Sequence, residues 1–236
     1  MFANFAATDW GSGAVDFIFM LTRSDETIDD CIATWHAVEH VGLRHAGFKD
    51  VGVDTATLVE LNSRMQACGV MTYLEVVSTS TEGCLQSART AVTIGVDRLM
   101  GGTQIDDTMR IIEGSGIEYL PFPGVPAGHP TRLGGDAELV ERQCKEYERR
   151  GCAGVDLLAY RASEANPLDL VRAARRGTSG YLVVAGSIST ATQIEDLRIA
   201  GADAFTIGSA VFDGSFAPTK GHIVSQLRDV MEATLG

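Results

Sequence analysis

The chain has 236 residues, 45% of them hydrophobic and 21% charged, which supplies apolar surface for a large core and excludes a disordered composition. A formal net charge of −12 without any basic stripe argues against a nucleic-acid partner. No apolar run approaches the ~20 residues needed to span a bilayer, and Met1 to Gly13 has neither the basic start nor the apolar core of a secretion signal, so no membrane partner and a cytoplasmic location are expected.

The predicted elements alternate strand with helix along the whole chain, as in a parallel sheet. In order, strands are expected over 16–23, 47–53, 70–78, 96–101, 117–121, 154–161, 181–188 and 204–207. Between and after them, helices are expected over 27–41, 56–68, 82–94, 106–113, 137–150, 167–175, 191–200 and 222–235. Several of the strands are continuous apolar runs, which fits burial on both faces. Gly42, Gly69, Gly95, Gly151, Gly177 and Gly201 each follow a helical stretch, where a left-handed residue ends a helix. Cys31, Cys68, Cys84, Cys144 and Cys152 show no C-x-x-C pair and are expected to be reduced, mostly buried small hydrophobes.

Eight units of about 25–30 residues fit a closed (β/α)8 barrel better than an open doubly wound sheet. The predicted fold is therefore α/β, one (β/α)8 (TIM) barrel domain formed by the whole chain. One long irregular segment, Pro123–Gly135, follows strand five. Loops in that position lie on the catalytic face, and its Pro and Gly content suits a lid or a specificity loop.

The last third carries the strongest motif. Apolar runs end in Ala185-Gly186-Ser187-Ile188 and Ile207-Gly208-Ser209-Ala210, each reading as a strand that stops at a Gly-Ser turn and feeds a helix. Two such turns on neighbouring parallel strands would gather backbone N–H groups around one point, and these hold a phosphate without basic side chains.

Val183–Thr190 (V-V-A-G-S-I-S-T) and Ala202–Phe212 (A-D-A-F-T-I-G-S-A-V-F) resemble the phosphate-binding barrels of the ribulose-phosphate-binding superfamily. That superfamily includes the histidine- and tryptophan-biosynthesis isomerases and the pentose-phosphate epimerases. The resemblance implies phosphate-binding roles for Gly186, Ser187, Gly208 and Ser209. It does not extend to the chemistry, because the places of the histidine-pathway aspartates, after strands one and five, hold Thr22 and Arg23, and Pro121 to Pro123. Nor is there the histidine and aspartate metal cluster of the epimerases: His36 and His40 fall within a predicted helix and His45 precedes strand two. No metal and no other cofactor is expected.

Only three lysines occur, Lys49, Lys145 and Lys220. Lys49 lies in F-K-D-V-G-V, where alternate side chains face opposite sides of a strand, so either Lys49 or Asp50 faces the barrel axis. A lysine buried in a barrel can become a base or a Schiff-base nucleophile. Paired with Glu75 on strand three, it would instead stay protonated and steady an enediolate while Glu75 moves the proton. Arg23, His129, Arg132, Tyr160 and Arg161 are further candidates for substrate binding at strand ends and in the loop, and Thr103 and Gln104 could line the pocket floor. Asp97, Arg98 and Asp156 read as strand starts, on the stability face.

The expected function is an isomerase or epimerase of carbohydrate metabolism, acting on a small phosphorylated sugar or sugar acid with Lys49 and Glu75 as catalytic pair. A Schiff-base lyase or aldolase using Lys49, and a barrel that binds a phosphometabolite without turnover, remain open. The sequence also leaves open a homo-oligomer.

Overall fold

The computed structural model describes residues 14–235. Eight parallel strands form one sheet: β1 (Asp16–Met20), β2 (His45–Lys49), β3 (Met71–Glu75), β4 (Arg98–Met100), β5 (Glu118–Leu120), β6 (Gly154–Leu157), β7 (Tyr181–Val184) and β8 (Ala204–Ile207). Each pairs with its neighbour in chain order from β1 to β5 and from β6 to β8, and β8 pairs with β1. Backbone bonds from Ala153 N–H to Tyr119 O and from Asp156 N–H to Pro121 O, each 3.0 Å, join β5 to β6 and close the barrel.

Helices α1 (Cys31–Val38), α2 (Thr55–Ala67), α3 (Thr81–Ile94), α4 (Ile105–Ile112), α5 (Ala137–Arg149), α6 (Pro167–Gly177), α7 (Ala191–Ala200) and α8 (Ile223–Ala233) alternate with the strands. Their starts are written locally. Asp54, Ser80 and Asp136 accept the N–H three residues on, Asn166 caps α6 with Pro167 next to it, and Thr190 with Gln193 forms a capping box on α7. Such caps satisfy N–H groups that no helical carbonyl can reach.

Several boundaries move from the sequence reading. The second strand is 45–49 rather than 47–53, and the sixth ends at Leu157 before a 3-10 turn over Ala159–Arg161. The first helix begins at Cys31, because Thr22–Arg23 and Glu26–Thr27 form an antiparallel hairpin. Gly177 is no left-handed stop. It lies inside α6, where a Cβ would come within 2.6 Å of Glu141 O and of Cys144 Cβ, so its smallness lets α5 and α6 pack. Four of the cysteines are buried, Cys68 is exposed, and all five are free.

The segment after β5 is a second antiparallel hairpin, Val125–Ala127 with Arg132–Gly134. Leu133 bridges to Ala162 and accepts from Ser163 N–H at 3.0 Å, which ties it to the turn after β6. Among the described residues no helix is long and apolar enough to cross a membrane.

The barrel interior has three levels. At the N-terminal ends of the strands, Arg98 lies over the Tyr181 ring, 4.2 Å from its centroid, and donates to Tyr73 Oη at 2.9 Å. An apolar middle of Ile18, Met20, Met100, Leu120, Val183 and Ala204 separates this plug from the other end. Lys49, Glu75 and Asp156 occupy the interior towards the C-terminal ends, all buried.

Candidate active site

Strand alternation settles which of two neighbours faces the axis. Lys49 points into the barrel, where its Nζ donates to Asp25 Oδ1 at 2.8 Å and stands 3.6 Å from Glu75 Oε2. Asp50 points to the helical layer and accepts from Ser87 on α3; burial raises its carboxyl above the ordinary range. The nearest partner of Lys49 is thus Asp25, and Glu75 forms a longer ion pair beyond hydrogen-bond reach.

Asp25 reaches the site because Ser24 and Asp25 both take positive φ, 53° and 63°. This left-handed pair folds the hairpin tip back. Thr27 holds the hairpin to β2, its Oγ1 donating to Lys49 O at 2.7 Å and accepting from Lys49 N–H at 2.8 Å. The loop after β1 therefore does bring an aspartate to the catalytic end, two residues beyond the place the sequence comparison considered.

Arg161, in the turn after β6, clamps Asp25 with two nearly parallel bonds, NH2 to Oδ1 at 2.8 Å and NH1 to Oδ2 at 2.9 Å. Burial alone would raise the Asp25 carboxyl, but the Arg161 hydrogen bonds and the Lys49 charge outweigh it and hold the group well below the carboxylate range. Asp25 is ionised at neutral pH and fully engaged.

Asp156 is the opposite case and corrects the sequence reading. Instead of opening a strand on the stability face, it is the third residue of β6, 0% exposed, and neither of its carboxyl oxygens has a hydrogen-bond partner. Burial, followed by the nearby Glu75 charge, raises its carboxyl well above the usual range against the pull of Lys49 and Arg161. Its carboxyl is therefore harder to ionise than that of an ordinary aspartate. A charged residue inside a four-residue apolar strand was the available signal.

The two Gly-Ser turns open on the same space. A cavity of about 280 Å3 is lined by Gly186, Ser187, Gly208 and Ser209 together with Asp25, Glu75, Arg161 and Asp213, and Glu75, on β3, lies across the barrel from the turns after β7 and β8. Both glycines answer to close approach: a Cβ on Gly186 would lie 2.5 Å from Arg161 Nε, and one on Gly208 would lie 2.7 Å from Thr22 Oγ1. Gly186 and Ser187 adopt φ of 82° and 60°. Successive N–H groups in such a bend converge on one side, and among the described residues those of Ser187 and Ile188 donate to no protein acceptor. The start of α7 is already capped by Thr190 and Gln193, so the turn itself, rather than that helix end, offers the N–H groups.

Other predicted residues lie elsewhere. Lys49 is close behind Asp25 and Glu75 but does not line the cavity. Arg132 and Tyr160 line an adjoining outer depression with Arg161, Ser187 and Ser209. Arg23 is exposed and turned onto the Phe212 ring at 5.4 Å, lining a separate surface hollow with Glu26 and Asp29. His129 is exposed at the tip of the second hairpin, and Thr103 lies in a different hollow under that hairpin. Among the described residues no three His, Cys, Asp or Glu side chains are grouped to hold a metal ion.

No protein-family signature and no curated protein sequence matches the chain. Solved structures do. The chain is similar to orotidine 5'-phosphate decarboxylase from Pyrococcus horikoshii, with a TM-score of 0.67 at 14% identity over 93% of this chain and 99% of that one. It is similar to a tryptophan synthase alpha-subunit from Pyrococcus furiosus, with a TM-score of 0.65 at 13% identity over 95% and 99%. The YdjI aldolase from Escherichia coli gives 0.61 at 16% identity over 96% and 89%. At these identities the likeness establishes the fold, a (β/α)8 barrel.

Proposed function

We propose that the protein is an enzyme that anchors a small phosphorylated metabolite by its phosphate at the turns Gly186-Ser187 and Gly208-Ser209, and transfers a proton next to the carbonyl of that metabolite. The observation that carries this reading is the single cavity with unused backbone N–H groups on one wall and the Glu75 carboxylate on the other. A ligand anchored by its phosphate at one wall meets an ionisable base at the other, which is the arrangement proton transfer requires. The name of one structural neighbour, orotidine 5'-phosphate decarboxylase, includes a phosphate and agrees with the grip.

Glu75 is assigned as the proton acceptor. It takes the proton from the carbon beside the carbonyl and the bonding pair moves into an enediolate; return of the proton to the opposite face epimerises that carbon, while its return to the former carbonyl carbon, with the hydroxyl proton passing from one enediolate oxygen to the other, completes isomerisation. Arg161, on the cavity wall with its charge already paired to Asp25, offers its remaining N–H edge as a hydrogen-bond donor to the carbonyl oxygen. Lys49 acts through Asp25 and Glu75 as a positioning residue, because its Nζ is buried and donates to Asp25. Lys49 does not line the cavity where a substrate carbonyl would sit, so the isomerase or epimerase reading is preferred to the aldolase.

The test is proton exchange in heavy water with ketose and aldose monophosphates, followed by NMR, with inorganic phosphate scored in parallel for thermal protection. Wild type is expected to exchange the proton beside the carbonyl, and Glu75→Gln to lose exchange while keeping phosphate protection. Borohydride trapping of substrate on Lys49 would establish the lyase instead. Protection by phosphate with no exchange or turnover across the panel would establish a binding barrel.

A further inference from the structure

Resting on the phosphate reading, the charges around the cavity narrow what the other end of the ligand can be. Three carboxylates line it, Asp25, Glu75 and Asp213, and Arg161 is the cation on its wall. Arg161 is already neutralised: both oxygens of Asp25 accept from it, at 2.8 and 2.9 Å. The one lysine nearby, Lys49, is spent on the same aspartate at 2.8 Å and on Glu75 at 3.6 Å. A carboxylate entering beside Glu75 would therefore meet like charge with no free cation, whereas hydroxyl and carbonyl groups would find acceptors in Glu75 and donors in the guanidinium edge.

We infer that the site selects a monophosphate whose remaining carbons bear hydroxyl or carbonyl groups over one that also bears a carboxylate, and that Asp25 is the residue that sets this choice by occupying both cations. Asp25 is well placed for such a role. It is held by a left-handed hairpin tip rather than by a strand, so its removal leaves the barrel ladder intact while releasing a bidentate guanidinium, the group best shaped to accept a carboxylate.

Glycerol phosphate and phosphoglycerate form a matched pair of probes, differing only by a hydroxymethyl group in place of a carboxylate. Affinities of both are measured by calorimetry on wild type, Asp25→Asn and Asp25→Ala, with inorganic phosphate as reference. Wild type is expected to prefer glycerol phosphate by roughly tenfold or more, the scale of an uncompensated polar mismatch. The aspartate variants are expected to move that ratio towards phosphoglycerate by about tenfold.

Equal or tighter binding of phosphoglycerate by wild type would overturn the inference, and this arm needs no variant to fold. An unchanged ratio in both variants, with inorganic phosphate still bound, would remove Asp25 as the determinant. If inorganic phosphate and both probes all fail to bind wild type, the phosphate reading itself falls and takes the inference with it.

Discussion

The barrel buries charge at both ends, and the two ends treat it differently. At the N-terminal end, Arg98 lies against Tyr181 and bonds Tyr73 and Glu118, while Asp16 accepts from Arg44 and Tyr181. Every one of these groups has a partner. At the C-terminal end, Asp25 is satisfied by Lys49 and Arg161, but Asp156 keeps two unpartnered oxygens and Glu75 has only a 3.6 Å ion pair. Buried polar groups left unmatched cost stability. A fold that completes one cluster and leaves the other incomplete holds the second for something that arrives, and strain of this kind gathers at functional sites.

The largest expected effect separates the ends by activity. Glu75→Gln, assayed by the exchange reaction, should lower turnover about 10²–10⁴-fold, the range of general base catalysis, with the melting temperature nearly unchanged. Arg98→Ala should do the reverse. It removes a cation–π contact and a part-buried hydrogen bond, together about 1–3 kcal/mol of stability by denaturant titration, with the Glu118 pair counted as little because that carboxylate is half exposed. Turnover of the folded fraction should stay at the wild-type value. If Arg98→Ala cut turnover as deeply as Glu75→Gln, the division between the ends would be wrong.

The fold and part of the second cluster could be read from residue order, whereas of the first cluster only Arg98 was legible, as a strand start. The eightfold rhythm, the caps Asp54, Ser80 and Asp136, and the Gly-Ser turns are local signals, repeated within a few residues of where they act. Lys49 and Glu75 were legible together because they fall within neighbouring expected strands, 47–53 and 70–78, and the structure pairs them side by side as the last residues of β2 and β3. Asp25 was not legible, since it depends on two successive non-glycine residues taking positive φ, which sequence seldom announces. Asp156 was lost to a boundary: strand six is four residues long, and extending it through Arg161 turned its third residue into a supposed opening one. Arg161 was legible as following strand six, where the structure has it, but the long-range clamp on Asp25, 136 residues away, is set by barrel closure.

A smaller effect sharpens the comparison through pH. Asp156 titrates higher in the folded barrel than in the unfolded chain, so above about pH 4 the unfolded state gives up a proton that the folded state keeps. Stability conferred below that pH is then lost as pH rises towards the folded value, by about 1.4 kcal/mol per pH unit. Asp25 has the opposite sign: its depressed carboxyl contributes stability above about pH 4 that is lost as pH falls further. Asp156→Asn should therefore flatten the decline of stability above about pH 4 while leaving the acid limb in place. A variant with the same slope as wild type there would show that burial does not raise the Asp156 carboxyl.

The smallest effect tests how sharply the reactive end is bounded. Arg23 belongs to the same hairpin as Asp25, two residues away, yet its guanidinium lies outside the barrel on the Phe212 ring while Asp25 lies within. An exposed cation over an aromatic face contributes on the order of 0.5–1 kcal/mol. Arg23→Ala should thus lower stability by no more than that and leave KM and turnover for a phosphorylated substrate unaltered, whereas Asp25→Asn changes ligand choice. The left-handed pair Ser24-Asp25 is then enough to separate a surface residue from a site residue that simple alternation would put on the same face, and a rise in KM for Arg23→Ala would mean that the phosphate draws on charge from outside the barrel as well as on the backbone of the two turns.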